Sequence, residues 1–123
     1  MQLGYVKLYR QCMENAFYFS ERFTKWQAFC DLLLLATFKR KVVYIRNVKV
    51  ILEPGDLCWS QKSLAERWKW NRRTVKKYLQ DLENEEMIRT KTTNITTVIR
   101  IVKWEEYNGI TQQDTQRNTQ QEA

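Results

Sequence analysis

Residues 60–84 constrain the fold most, because they carry two helical patterns separated by only a few residues. Ser60 can cap a helix over residues 61–68, since a serine hydroxyl accepts a hydrogen bond from a free amide of the first turn. After a short link, Asn71 can cap a second helix over residues 72–84. The sequence therefore predicts a helix-turn-helix.

The second predicted helix has one apolar face and one basic face. At 100° per residue its large apolar residues fall within about 100° of one another. These residues are Val75, Tyr78, Leu79 and Leu82. Arg73, Lys77 and Gln80 point the opposite way, and Lys76 flanks them. We therefore expect this helix to bury its apolar face and to present its cations to solvent.

The residues that follow this helix are patterned like strands. Threonine and isoleucine alternate over residues 88–92 and 96–102, as in a half-buried hairpin, with a turn at Thr93-Asn94. The order of elements is then helix, turn, helix, hairpin, and we interpret the hairpin as a wing.

A third helix is predicted near the N-terminus. Thr24 can cap a helix that begins at Lys25. Apolar residues then recur at steps of three and four, at Trp26, Phe29, Leu33 and Ala36. We therefore expect Trp26 in the core, together with Tyr78 of the later helix.

A second hairpin is predicted between the first helix and the helix-turn-helix. Residues 42–45 and 48–52 are rich in β-branched side chains, and Arg46-Asn47 is a plausible turn between them. Pro54 and Gly55 then end the second strand.

The expected fold is α+β, a winged helix-turn-helix with an added N-terminal helical segment and a β-hairpin wing. Residues 4–19 lack a clean period and are expected to form an extended start and a short helix. Residues 1–108 would form the domain. Residues 109–123 are rich in threonine and glutamine and are expected to be a disordered tail or part of a linker.

The net charge is concentrated in one part of the chain. The whole chain carries +7, and residues 60–103 hold eleven basic and five acidic side chains. A basic cluster of this kind is typical of proteins that bind a polyanion such as DNA.

The predicted site is the second helix, its link and the wing. Arg73 and Lys76 are of the types that contact guanine O6 and N7 in the major groove. The full set of recognition-helix residues is Asn71, Arg72, Arg73, Thr74, Lys76, Lys77 and Gln80. Backbone contacts are expected from Ser60, Lys62, Arg67 and Lys69, and wing contacts from Arg89, Lys91, Asn94 and Arg100.

Other kinds of site have little support in the sequence. Trp68 and Trp70 could stack on unpaired bases, but we expect them to fill the core between the two helices. The chain has no histidine, three glycines and three widely spaced cysteines, so we expect no enzyme, no cofactor and no metal site. The cysteines are interpreted as reduced thiols of a cytoplasmic protein without a membrane span.

Residues 64–88, LAERWKWNRRTVKKYLQDLENEEMI, resemble the winged-helix N-terminal modules of phage and prophage replication proteins, which are related to the DnaD-like primosome components. The opening GYVKLYRQ and the later IRIVKWEEY resemble the start and end of that module, so the similarity covers residues 4–108. The family often has glycine where this chain has Lys69 and Glu86. Without glycine there, the turn geometry and the usual helix stop are both less well defined.

The resemblance implies a role in replication initiation or primosome assembly. The chain would bind double-stranded DNA and help recruit a replicative helicase or its loader. A transcriptional regulator of the same fold is one alternative. A protein-interaction module is another, in which the N-terminal aromatic residues and the hairpin over residues 42–52 form a homodimer surface.

Overall fold

A computed structural model describes residues 7–107 of the chain. The fold is α+β, as predicted, and begins with a 3-10 helix at Arg10–Glu14. The elements that follow are α1 Lys25–Leu35, β1 Lys41–Ile45, β2 Val48–Leu52, β3 Asp56–Cys58, α2 Gln61–Trp68, α3 Arg72–Asn84, β4 Ile88–Thr92, β5 Thr97–Ile101 and α4 Trp104–Tyr107. The predicted start over residues 4–6 and the polar tail over residues 109–123 lie outside the described residues.

The strands form two antiparallel sheets. β1 and β2 form a separate hairpin, in which Arg46 and Asn47 both have positive φ, as a tight two-residue turn requires. The second sheet has the order β3-β5-β4, so the short strand β3 pairs with the far strand of the predicted wing hairpin. Strand β3 was not predicted from the sequence.

The helix starts follow the predicted caps. Thr24 accepts from the Gln27 amide at 3.2 Å, and the Gln27 side chain accepts from the Thr24 amide at 2.8 Å, which closes a capping box. Ser60 accepts from the Ser63 amide at 3.0 Å. These short-range bonds satisfy amides that have no partner within their own helix.

One core joins α1, α2 and α3 to the three-stranded sheet. It includes Phe29 and Leu32 of α1, Trp68 of α2 and Ile99 of β5, all fully or almost fully buried. The prediction that Trp26 belongs to this core was wrong, because 64% of the side chain is exposed. Trp26 lies in the first turn of α1, where its ring contacts Phe29 on one side and solvent on the other.

Asp31 of α1 is a fully buried carboxylate that joins three segments of the chain. It accepts from the Arg67 Nε at 2.6 Å and from the Trp68 Nε1 at 2.8 Å. The hydroxyl of Tyr18 donates to the same carboxylate. A buried charge is costly unless it is paired and hydrogen-bonded, and these bonds provide that compensation.

Lys69 and Glu86 both have left-handed backbone conformations, with φ of 61° and 60°. Lys69 ends α2, and Glu86 follows the C-cap of α3. The Glu86 amide donates to the Glu83 carbonyl and the Met87 amide to the Leu82 carbonyl, which is the Schellman arrangement that usually has glycine at its left-handed residue. At both positions a non-glycine side chain is therefore held in a conformation that glycine adopts at less cost.

We expect Glu86→Gly to raise the free energy of unfolding by about 0.5–1 kcal/mol. The substitution removes the cost of holding a side chain in the left-handed conformation, which is about 1–2 kcal/mol. Glycine also increases the entropy of the unfolded chain, and this offsets part of the gain in stability. Urea denaturation of the two proteins measures the difference. Glu85→Gly is the matched control, because Glu85 has φ of −83° and glycine there should destabilise the protein. Equal effects of the two substitutions would contradict the assignment of strain.

Candidate nucleic-acid interface

Helix α3 begins where the sequence predicts it. The Asn71 side chain accepts from the Thr74 amide at 2.7 Å and from the Thr74 hydroxyl at 2.8 Å. The preceding turn is closed by the Trp70 amide, which donates to the Ala65 carbonyl at 2.9 Å. Because Lys69 adopts a left-handed conformation, α2 stops and α3 starts within three residues.

The two faces of α3 are as predicted. Val75, Tyr78, Leu79 and Leu82 are buried, whereas Arg72, Arg73, Lys76, Lys77 and Gln80 are exposed. The last turn of the helix also exposes Glu83 and Asn84. Among the described residues, Lys77 is the only one of these cations that forms an ion pair. Its Nζ lies 3.4 Å from the Asp81 carboxylate, and the Lys77 side chain is exposed. Such a pair contributes little and can open at small cost. The basic face of α3 is therefore available to an external anion.

A groove of about 500 Å³ separates α3 from the β4–β5 hairpin. We call it the wing-side groove. Arg72, Lys76 and Gln80 of α3 line one wall, and Ser60 and Asn94 lie at its other borders. The groove thus brings together three of the recognition-helix residues, one predicted backbone contact and one predicted wing residue.

The base of the hairpin is fixed to α3 by a carboxylate. Glu83 accepts from the Thr90 amide at 2.7 Å and from the Thr90 hydroxyl at 3.0 Å. Glu83 therefore holds β4 of the hairpin against α3. It also lines the wing-side groove.

Arg73 and Lys77 lie on the other flank of α3. They line a cleft of about 360 Å³ between α3 and the start of α1, which we call the α1-side cleft. Arg22 and Lys25 lie on its opposite wall. These two cations were not identified from the sequence, since no local pattern connects them to residues about 50 positions later.

Arg67 does not lie with the predicted backbone contacts. Its guanidinium turns inward to Asp31, and only 16% of the side chain is exposed. Burial acts to lower the pKa of Arg67, but the hydrogen bonds and charge of Asp31 outweigh it and raise that pKa. Arg67 therefore stabilises the fold and is not free to contact phosphate.

Two other residues were predicted to contact the DNA backbone from this region. Lys62 is exposed on α2, and the Lys69 Nζ donates to the Phe19 carbonyl at 2.9 Å.

The four predicted wing residues are divided between two places. Asn94 lines the wing-side groove. Arg89 of β4 and Arg100 of β5 are directly opposite each other, so both lie on one face of the sheet. Lys91 lies on the same face, because it is two residues after Arg89 on β4. The Arg100 guanidinium binds the buried Asp56 at 2.7 and 3.1 Å, and these hydrogen bonds raise the pKa of Arg100. Arg89 and Lys91 are exposed.

The tryptophans beside the interface belong to the core, as predicted. Trp68 and Trp70 pack edge to face with centroids 5.0 Å apart, and both contact Tyr78 in the same manner. Burial raises the pKa of Tyr78 to about 12. Because both tryptophans are at least nine-tenths buried, they present no ring face on which an unpaired base could stack.

Neither a metal-ligand group nor a membrane-spanning helix is found in the described part of the chain. Residues 7–107 contain no group of three or more cysteine and carboxylate side chains placed to hold a metal ion. None of the helices over these residues has the length and apolar character needed to cross a bilayer. The chain matches no protein-family model, no curated protein and no solved structure.

Proposed function

We propose that this protein binds double-stranded DNA and places α3 in the major groove. The observation that carries the proposal is the basic face of α3, whose cations are exposed between two grooves while the opposite face is buried. An α-helix fits the major groove, and basic side chains near its start reach base edges and phosphates.

The order of the elements supports a winged helix-turn-helix. Helix α1, strand β3, helices α2 and α3 and the β4–β5 hairpin follow one another, and β3 pairs with the second hairpin strand. In this arrangement α3 is the recognition helix and the hairpin is the wing. The β1–β2 hairpin is an addition between α1 and β3.

The proposed roles follow from position. Arg73 and Lys76 contact base edges. Arg72 and Thr74, with Asn71 at the helix start, contact phosphates, because the free amides at a helix N-terminus favour anions. The wing-side groove holds one strand of the duplex between α3 and Asn94.

The biological role is proposed from the family resemblance. We propose that DNA binding serves replication initiation or primosome assembly of a phage or mobile element, with a helicase or helicase loader as partner. A transcriptional regulator would use the same surface. It would differ in binding a palindromic operator as a dimer.

Fluorescence anisotropy with labelled duplex and single-stranded DNA tests the proposal. We expect tighter binding to the duplex, with log K falling by about 0.9 per decade of salt for each phosphate neutralised. Binding to neither DNA at low salt would contradict the proposal.

A second candidate function is self-association through the β1–β2 hairpin. Val42, Tyr44, Val48 and Ile51 of this hairpin are all between 43% and 69% exposed, which is unusual for so many large apolar side chains in one short hairpin. Light scattering at several protein concentrations tests it. A monomer at all concentrations would contradict it and leave the DNA proposal unaffected.

A further inference from the structure

The α1-side cleft is a second basic surface, on the flank of α3 that faces away from the wing. Its floor is formed by the buried rings of Trp70 and Tyr78. Its rim carries Arg22 and Lys25 on one side and the cations of α3 on the other, with Asp81 as the only carboxylate among the described residues that line it. The cleft therefore carries a net positive charge.

The cations of the opposite wall are not neutralised within the described residues. Neither Arg22 nor Lys25 takes part in an ion pair there. The Arg22 guanidinium lies over the Trp70 ring, 5.9 Å from its centroid, and remains exposed. A guanidinium and an ammonium that line the same cleft and form no ion pair among the described residues suit an anionic ligand.

The start of α1 is hydrogen-bonded to the turn before α3 and to α3 itself. The Trp70 Nε1 donates to the Phe23 carbonyl at 2.8 Å, and the Tyr78 hydroxyl donates to the Lys25 carbonyl. These bonds fix the backbone on both sides of Thr24, so the two cations reach the cleft without ordering a loop. Preorganisation of this kind lowers the entropic cost of binding.

We propose that the α1-side cleft binds the sugar-phosphate backbone of the duplex strand that lies across the major groove from the wing. The inference rests on the proposed function and deepens it. A helix in the major groove has one phosphate strand on each flank. The wing-side groove receives the first strand, and Arg22 with Lys25 receives the second, so that α3 is clamped from both sides.

Contacts of this kind position the protein and carry no sequence information. The cleft should therefore contribute affinity and salt dependence, while base preference stays with α3. A free phosphate or a mononucleotide has the same anionic chemistry, and the experiment below separates it from duplex DNA.

The test is Arg22→Gln with Lys25→Gln, compared with Lys39→Gln and Lys49→Gln as a matched control. The control residues are exposed and line neither groove, and the change in net charge is equal. We expect the first pair to weaken duplex binding about 10- to 100-fold at ~0.1 M salt and to reduce the salt slope by about 1.8, which is 0.9 for each of two phosphates. Single base-pair changes in the DNA should keep the same ranking of affinities.

Two results would overturn the inference. One is duplex affinity and salt slope equal to those of the control pair. The other is a pair of measurements: calorimetry shows that inorganic phosphate binds and that its binding depends on Arg22 and Lys25, whereas duplex binding does not depend on them. That result would make the cleft a small-anion site. Failure of the parent protein to bind any duplex would instead count against the proposed function. If reversing Arg73 and Lys76 abolished binding while changing Arg22 and Lys25 had no effect, the first of these two results would apply, and α3 would remain the recognition helix.

Discussion

Reversing the charges of Arg73 and Lys76 together, as Arg73→Glu and Lys76→Glu, should weaken duplex DNA binding by at least about 100-fold. Each side chain in a good base contact is worth about 1–3 kcal/mol of discrimination, and 1.4 kcal/mol corresponds to a tenfold change in affinity. The introduced carboxylates also repel the phosphates of the duplex. Fluorescence anisotropy at fixed salt measures the change.

The fold should survive this pair of substitutions, because both side chains are exposed and form no ion pair among the described residues. Lys39→Glu with Lys49→Glu makes the same change in net charge outside both grooves and serves as the control. We expect it to weaken binding far less, and circular dichroism should report both proteins as folded. If the two double variants bound DNA equally well, α3 would not be the recognition helix.

Asp31→Ala should lower the free energy of unfolding by about 3–5 kcal/mol, since removing one partner of a buried ion pair leaves the other without compensation. Here the guanidinium of Arg67 would lose both of its bonds to Asp31, and the Trp68 Nε1 would lose its acceptor in the core. For a domain of this size each kcal/mol shifts Tm by about 4–8 °C. Thermal and urea unfolding would therefore register a large change.

Asp81→Ala is the matched control for this prediction. Asp81 pairs with Lys77, whose side chain is 76% exposed. Asp81→Ala should therefore lower the free energy of unfolding by no more than about 1 kcal/mol. Replacing both members of the buried pair, as Asp31→Leu with Arg67→Met, should recover only part of the stability: apolar residues can substitute for the ion pair, but the buried Trp68 Nε1 would still lack its acceptor. If Asp31→Ala lowered the free energy of unfolding no more than Asp81→Ala, the hydrogen bonds of Asp31 would not stabilise the fold.

Most features of α3 could be predicted from the sequence. Its cap, its ends and its two faces follow from interactions within four residues along the chain, and all were predicted. The predicted hairpins were also found, since their turns and alternation are local signals. How the exposed cations of α3 divide between two grooves was not predicted, because that depends on what packs on each side of the helix.

Several side chains were placed by partners far away in the sequence. Arg67 resembles the exposed cations around it, yet it binds a carboxylate 36 residues earlier. Arg100 likewise binds Asp56, which is 44 residues earlier. Strand β3 has only three residues, too few for a pattern, and exists because β5 pairs with it.

The amino-acid sequence by itself determined helices α1, α2 and α3, the two hairpins and the basic face of α3, since caps, turns and periodicity depend on near neighbours in the chain; it did not predict the short helix α4. Only the tertiary structure decided which cations remain free, that Trp26 stays outside the core, and that Arg22 and Lys25 face α3. The physical reason is that burial and ion pairing depend on distances in space between segments that are remote in sequence.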